Sequence, residues 1–132
     1  MRLGLTANAE VPEALKLARK AISELKGQDL VLESGIARIF GKEGRPIEEM
    51  DIDALVTVGG DGTILRSLQR TEAPIFGINA GVLGFLTEMN EDGIEKGIKR
   101  MLEGDYFIDE RIKLKTTVAG ERQFDATVVL SL

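Results

Sequence analysis

Short apolar runs alternate along the chain with longer segments in which apolar residues recur every three or four positions. Runs of about four to eight apolar or β-branched residues indicate buried strands, and the longer period indicates amphipathic helices. The stretch 34–45 has three glycines and mixed charge, and we expect a loop there with at most one turn of helix. The pattern predicts strands at 2–6, 29–33, 54–58 and 74–78, and helices from residue 12 to a turn at Gly27, at 46–50, at 63–70 and at 90–103.

Strands that alternate with helices indicate βαβ units and a parallel sheet. For residues 1–104 we therefore predict an α/β fold, an open, mostly parallel, Rossmann-like sheet with helices on both faces. The rhythm changes after residue 104, where two extended segments, 107–118 and 124–132, flank a turn at 119–120. We predict a C-terminal β-hairpin within 105–132. It is either the start of a truncated β-rich domain or an addition to an edge of the first sheet.

The composition narrows the classes of function. The 132-residue chain has no Cys and no His, which excludes disulfides, thiolate metal sites and imidazole-based acid or base catalysis. The net charge of -5 argues against nucleic acid as a partner. The N-terminus lacks the apolar core of a signal peptide, and no apolar stretch approaches the roughly 18 residues of a membrane span. We expect a soluble, cytoplasmic protein.

Two predicted strands end in loops that contain glycine, namely 59–63 (GGDGT) and 79–85 (NAGVLGF). Ligands of open parallel sheets collect at the carboxyl ends of the strands, so both loops are expected to border one crevice. Residues without a Cβ let backbone amides turn inward and let a phosphate approach. The first loop lacks the Lys-Ser/Thr pair of a P-loop, and Leu65 stands where a dinucleotide fingerprint needs a third glycine.

The aspartate in the first loop has the wrong charge for a simple phosphate cradle. Asp61 is open to three interpretations: a helix cap, a ligand of Mg²⁺, or the acceptor of a proton from an attacking hydroxyl. The metal-ligand and proton-acceptor interpretations explain a negative charge beside a phosphate, because a carboxylate there is useful only with a cation or a mobile proton. Thr63 is expected to be the N-cap of the next helix, with a hydroxyl that caps the helix or contacts an anion.

The second loop is less informative. Asn79, at the end of its strand, can bind a hydroxyl or cap a turn, and Gly81 and Gly84 can serve tight turns. Phe85 is expected in the core rather than as a platform for a ligand. Arg66, beyond the first loop, is expected to be a solvated helix residue.

Residues 59–66 (GGDGTILR), 74–79 (PIFGIN) and 81–86 (GVLGFL) together resemble the NAD kinase family, and its archaeal branch in particular. The GGDGT pentad alone is shared with diacylglycerol and sphingoid lipid kinases and is close to that of phosphofructokinases. The Leu-Arg pair after it, and the GINxGxLGF segment about 15 residues later, are far more specific to NAD kinases. The resemblance covers about residues 1–127.

The resemblance implies phosphorylation of the 2′-hydroxyl of the adenosine ribose of NAD, with ATP or polyphosphate as donor and a divalent metal, expected to be Mg²⁺. Asp61 matches the family's catalytic aspartate, which accepts the hydroxyl proton, and it would serve the metal only indirectly. An α/β domain followed by a β-rich domain, and assembly into a dimer or tetramer, are also implied. The positions implied to contact NAD are Asp61, Gly62, Arg66 and Phe85, and those expected at the phosphates of ATP are Gly59, Gly60, Gly62, Thr63 and Asn79.

The chain departs from the family after residue 127. The family continues there into an Asn-Glu pair that binds the NAD ribose, whereas 128–132 (VVLSL) follow here. We therefore expect little or no kinase activity from this chain alone, and an apolar tail that pairs with 112–118 or with a neighbouring chain. The alternative is a non-catalytic α/β domain that binds nucleotide or phosphate or serves as a scaffold. A lipid kinase is a weaker alternative, disfavoured by Leu65 and Arg66.

Overall fold

A five-stranded parallel sheet forms the centre of the protein. The computed structural model describes residues 1–81 and 93–105 in full, and the backbone of 112–114, 117–118, 121–122 and 126–128. The strands are β1 (Arg2–Ala7), β2 (Asp29–Glu33), β3 (Gly44–Arg45), β4 (Ala54–Gly59) and β5 (Ile75–Asn79). Their order is β3-β2-β1-β4-β5, so the chain reverses its direction across the sheet between β1 and β4, which is the switch point.

Helices lie on both faces of this sheet, as predicted. Connections between parallel strands are right-handed, so the helices after β1 and after β4 must lie on opposite faces. The side chains of β4 agree, because Val58 packs in the main core while its neighbour Gly59 faces Thr63 on the other side. The helices are α1 (Pro12–Glu24), α2 (Ser34–Ile39), α3 (Asp61–Leu68) and α4 (Ile94–Leu102), with a 3-10 turn at Ile47–Glu49.

The main core lies between the sheet and the helices α1, α2 and α4. Alternate residues of β1 and β4 point into it, which is the period of a strand, and they meet one stripe from each helix. Burial of this apolar surface is the largest favourable contribution to folding. The most deeply buried members include Leu3, Leu5, Leu17, Val56, Val58, Ile78, Ile94, Ile98 and Met101.

The face beneath α3 has a different character. All the buried polar side chains of the described residues lie on this side, as the alternation along β1, β4 and β5 shows. Ser67 of α3 illustrates how they are satisfied, since its Oγ–H donates to Thr63 O at 2.8 Å. This polar layer leads to the carboxyl ends of β4 and β5. Its members are Thr6, Thr57, Thr63, Ser67 and Asn79.

The prediction of a loop at 34–45 is wrong, because this stretch contains α2 and β3. The Glu33 carboxylate caps α2 by accepting hydrogen bonds from the Gly35 and Ile36 amides at 3.0 and 3.3 Å. Gly44 allows β3 to lie against α2, since a Cβ there would come 2.5 Å from Ala37 Cβ. A capped helix and a close backbone approach therefore replace the expected loop.

Other boundaries shift by a few residues. Helix α1 ends at Glu24, and Gly27, with φ of 89°, lies in the turn that follows. Helix α4 begins at Ile94, and 90–92 of the predicted helix lie outside the described residues. No helix in the described part of the chain is long and apolar enough to cross a membrane.

The predicted C-terminal hairpin is present in the described backbone. Strand β6 (Ile112–Leu114) pairs antiparallel with β9 (Ala126–Val128), and β7 (Thr117–Val118) pairs with β8 (Glu121–Arg122). Of the apolar tail 128–132, Val128 is the one described residue, and it pairs with Ile112. The predicted turn at 119–120 and residues 129–132 lie outside the described residues. The domain boundary after residue 104 stays a prediction.

One surface ion pair gives a pH-dependent prediction. The Arg70 Nε–H donates to Glu48 Oε1, and chiefly this bond lowers the pKa of Glu48 below its ordinary value of 4.5. The pair therefore stabilises the fold above about pH 4.5, and this contribution is lost as the pH falls through the lowered pKa. Because both side chains are exposed, we expect Glu48→Gln to cost no more than about 1 kcal/mol at pH 7.

Urea unfolding at pH 7 and pH 3 measures this effect, with Glu49→Gln as the matched control. A loss of stability that is equal at both pH values, or unchanged by high salt, would contradict the assignment.

Candidate functional site

The GGDGT loop lies at the carboxyl end of β4, as predicted. Gly59 is the last residue of β4, Gly60 is the N-cap of α3 and Asp61 is its first residue. The expectation that Thr63 is the N-cap is wrong, and Asp61 does not occupy the N-cap position either. The physical reason is that Gly60, in an extended conformation, already begins the helix, which makes Thr63 its third residue.

The three glycines of the loop serve two different purposes. None has a positive φ, so the loop does not need glycine for a left-handed turn. At Gly59 a Cβ would come 2.4 Å from Thr63 Oγ1, so the absence of a side chain allows α3 to lie close to β4. Among the described residues, a Cβ at Gly60 would meet nothing and one at Gly62 only Arg66 Nη1, at 3.4 Å. Packing within the described part of the chain therefore requires glycine at 59 and leaves open space at 60 and 62.

This open surface suits an anion. The first amides of a helix generally have no acceptor within the helix and carry its positive dipole end, and the N-cap of α3, Gly60, has no side chain that could cap them. The Arg66 guanidinium lies over Gly62, one turn further along α3, and brings a positive charge to the same surface. Arg66 is exposed, as predicted. Asp61 is half-buried between the two open glycines and is the one carboxylate of the loop.

The end of β5 borders the same place. Asn79 is paired with Gly59 in the sheet register, and the Ala80 amide donates to Gly59 O at 2.8 Å. The Asn79 side chain caps the turn that follows, because its Oδ1 accepts from the Gly81 amide at 2.7 Å. One of the two predicted roles of Asn79 is thus confirmed. Phe85 and Gly84 lie outside the described residues.

Asn8, which follows β1 at the switch point, was not predicted as a residue of the site. Its amide donates to Val58 O at 2.9 Å, and its Oδ1 accepts from the Glu10 amide at 3.1 Å. A Cβ on Gly59 would come 3.3 Å from Asn8 Cβ, so Asn8 flanks the loop directly. In the sequence, an Asn directly after the first strand indicates a residue at the carboxyl end of the sheet. That Asn8 lies beside the GGDGT loop follows only from the pairing of β1 with β4.

The described residues contain no group of three or more His, Cys, Asp or Glu side chains that could hold a metal by themselves. Mg²⁺ that accompanies nucleotide phosphates usually needs only one or two carboxylates, since phosphates and water supply its other ligands. Asp61 is one such carboxylate at the anion-favouring surface. The residues present therefore fit a metal that arrives with a nucleotide.

A separate groove of about 560 Å³ opens at the opposite, amino edge of the sheet. It lies between the second half of α1, the start of β2 and the segment before β3. The Arg19 guanidinium lies 4.7 Å from the centre of the Phe40 ring on its wall. None of its lining residues belongs to the GGDGT loop, so the groove and the loop are distinct features.

An open parallel sheet with a glycine-rich helix start at its switch point defines an α/β domain of the nucleotide-binding class. The family model described as the ATP-NAD kinase N-terminal domain matches residues 3–106. The chain belongs to the NAD kinase family.

Similar proteins agree with this assignment. The NAD kinase of Thermococcus kodakarensis is 45% identical over 131 residues, which is 93% of this chain and 47% of that protein. The NAD kinase of Thermoplasma acidophilum is 34% identical over 128 residues, 96% of this chain and 47% of that protein. The chain thus spans about half the length of the curated relatives it matches.

Two solved structures have a similar fold. An NAD kinase from Archaeoglobus fulgidus in complex with ATP matches with a TM-score of 0.57 and 30% identity, over 87% of this chain and 41% of that one. Yeast NADH kinase complexed with NADH matches with a TM-score of 0.79 and 17% identity, over 96% and 45%. At that identity the second match supports the fold alone.

Proposed function

We propose that the protein acts in the phosphorylation of NAD, in which the γ-phosphoryl group of ATP is transferred to the 2′-hydroxyl of the adenosine ribose to give NADP and ADP. Family membership supports the reaction, and the complex of the Archaeoglobus relative supports ATP as the donor. The observation that carries the proposal to this site is the open surface at Gly60 and Gly62, where a Cβ would meet no backbone and at most the Arg66 end among the described residues.

In the proposed reaction Asp61 accepts the proton of the ribose hydroxyl. The hydroxyl oxygen forms a bond to the γ-phosphorus while the bond from that phosphorus to the bridging oxygen of ADP breaks. The proton moves to the Asp61 carboxylate, which begins the helix beside the open amides. This role explains why a carboxylate belongs in a loop that otherwise favours anions.

The phosphates of ATP are proposed to lie at the start of α3, where the amides near Gly60 and Gly62 and the Arg66 guanidinium all favour negative charge. A divalent cation bound with ATP neutralises charge on the phosphates, and Asp61 is the residue that would help to hold it. For NAD, the proposed contacts are Asp61, Gly62, Arg66 and Phe85. Gly59 and Thr63 support the loop from beneath, since their close approach fixes α3 on β4.

Incubation of the protein with NAD, ATP and Mg²⁺ tests the proposal. From a protein in which this domain is followed by the family's β-rich domain we expect NADP and ADP in equal amounts, with the 2′-position established by a dehydrogenase that accepts only NADP; from the 132-residue chain alone we expect little or no NADP. Polyphosphate in place of ATP tests the alternative donor. Nucleotide binding at the loop without phosphoryl transfer would favour the non-catalytic alternative, and transfer to a lipid alcohol but not to NAD would favour the lipid kinase.

A substitution at Gly62 separates binding from folding. Gly62→Ala is expected to raise the free energy of unfolding by about 0.4–1 kcal/mol, because alanine suits a helix and only the flexible Arg66 end must move. It is expected to weaken ATP binding by about tenfold or more, the equivalent of 1.4 kcal/mol, because a methyl group covers the open surface. Thermal melting and calorimetric titration measure the two effects. Unchanged ATP affinity would remove Gly62 from the site.

A further inference from the structure

One buried donor in the polar layer beneath α3 lacks a hydrogen bond. Among the described residues, two buried side-chain nitrogens have no hydrogen-bond partner, Asn79 Nδ2 and Arg2 Nε. Arg2 Nε lies 3.8 Å from Asp29 Oδ2, so its charge is compensated by an ion pair. Asn79 is only 4% exposed and has no such compensation for its amide nitrogen. Buried donors without an acceptor are rare, and each one needs a physical explanation.

The orientation of the Asn79 amide is fixed. The Gly81 amide donates to Oδ1 at 2.7 Å, and a flipped side chain would place a second donor against that N–H. Nδ2 is therefore the atom left over. Asn79 is in register with Gly59 and points to the same side of the sheet, towards the first turn of α3. Because Gly59 has no Cβ, no side chain from that residue separates Asn79 from this turn.

We infer that Asn79 Nδ2 is a further binding group for the nucleotide and donates to a phosphate oxygen seated at the first turn of α3. This inference rests on the proposed function. A carboxamide nitrogen only donates, so its partner must be an acceptor. The helix dipole and the Arg66 guanidinium favour a negatively charged group at this place. A phosphate oxygen is a hydrogen-bond acceptor that carries negative charge. The bond forms as the phosphate seats, since hydrogen bonds at such sites commonly tighten when the ligand binds.

The variant Asn79→Asp removes this donor and keeps the turn. It keeps an oxygen for the Gly81 amide and replaces the donor by a second oxygen, which repels phosphate. Calorimetric titration with ATP and Mg²⁺, and with inorganic triphosphate, is expected to show affinities about 10- to 100-fold lower, the effect of losing one hydrogen bond to a charged group. Ser67→Ala is the matched control in the same polar layer, and its affinities are expected to stay within about twofold of the original.

A second measurement does not depend on the variant folding. The side-chain NH₂ resonances of Asn79 in the ¹⁵N-labelled protein are expected to shift when inorganic triphosphate is added. If the amides of 60–62 shift but the Asn79 NH₂ pair does not, and Asn79→Asp binds as tightly as the original protein, the inference is wrong and the proposed function stands. If neither the loop amides nor Asn79 respond to triphosphate or to ATP, both fail.

Discussion

In a protein that carries this domain together with the family's β-rich domain, replacement of Asp61 by Asn is expected to lower the rate of NADP formation by roughly 10²- to 10⁴-fold, the usual contribution of a positioned proton acceptor. The fold should persist, because Asp61 is only half-buried and a neutral amide of the same size replaces the carboxylate. The loss is expected in kcat rather than in KM for NAD, since the proton moves only in the transition state. Steady-state kinetics and thermal melting of the variant measure both statements.

Asp51→Asn is the matched control for this prediction. Asp51 is exposed and precedes β4, so this substitution removes one negative charge, as Asp61→Asn does, but at the opposite end of the same strand. Its kinetics should equal those of the original protein. If Asp61→Asn retained a near-normal rate, Asp61 would be only a favourable charge at the start of α3, worth about 0.3–1 kcal/mol through the helix dipole.

Gly59→Ala is expected to destabilise the fold by about 1–3 kcal/mol, the usual penalty for an added methyl group in a packed site. The new Cβ would lie 2.4 Å from Thr63 Oγ1 and 3.3 Å from Asn8 Cβ, so the start of α3 must move away from β4. Denaturant unfolding measures the change. Gly60→Ala is the control, because its Cβ would meet nothing among the described residues, and it should cost less than Gly59→Ala, about 0.5–1 kcal/mol from the poorer N-cap alone.

A double-mutant cycle identifies the contact responsible. Thr63→Ala removes the nearest atom, so the pair Gly59→Ala and Thr63→Ala should cost less than the sum of the single changes. Additive effects would show that the crowding is not between these two residues. An undiminished stability of Gly59→Ala would show that α3 does not lie as close to β4 as described.

Four of the five strands of the sheet, β1, β2, β4 and β5, were predictable because each coincides with a short run of apolar and β-branched residues. Strand β4 (Ala54–Gly59) is buried throughout, and a run of apolar and β-branched residues of that length is typical of a buried strand. Helix α1 was predictable from its apolar stripe and from Pro12 at its start. Those features are local, and local features can be read from the sequence.

The elements that were missed depend on contacts between distant residues. Strand β3 has two residues and exists because Gly44 and Arg45 pair with the end of β2. Helix α2 begins at a Glu cap and contains Gly35 in its first turn, so neither its composition nor its length indicates a helix. A two-residue strand that is defined by its pairing with a neighbour is too short to show a strand pattern in the sequence.

The candidate site was predicted in outline and corrected in detail. The GGDGT motif and the carboxyl-end rule placed the loop correctly, whereas the start of α3 was set two residues late, at Thr63 rather than at Asp61. Glycines carry no side-chain signal, so the sequence does not show which of them is packed and which is open. That division, and the neighbouring position of Asn8, follow from the approach of α3 and β1 to β4.

The most direct test of the nucleotide site is a map of backbone amide shifts during titration of the ¹⁵N-labelled protein with ATP and Mg²⁺. We expect the largest changes at Gly60 and Gly62, with little change around Lys26 and Lys42 in the groove at the amino edge. Changes confined to that groove, or no changes at the start of α3 at saturating ATP, would contradict the placement of the nucleotide at the carboxyl edge of the sheet.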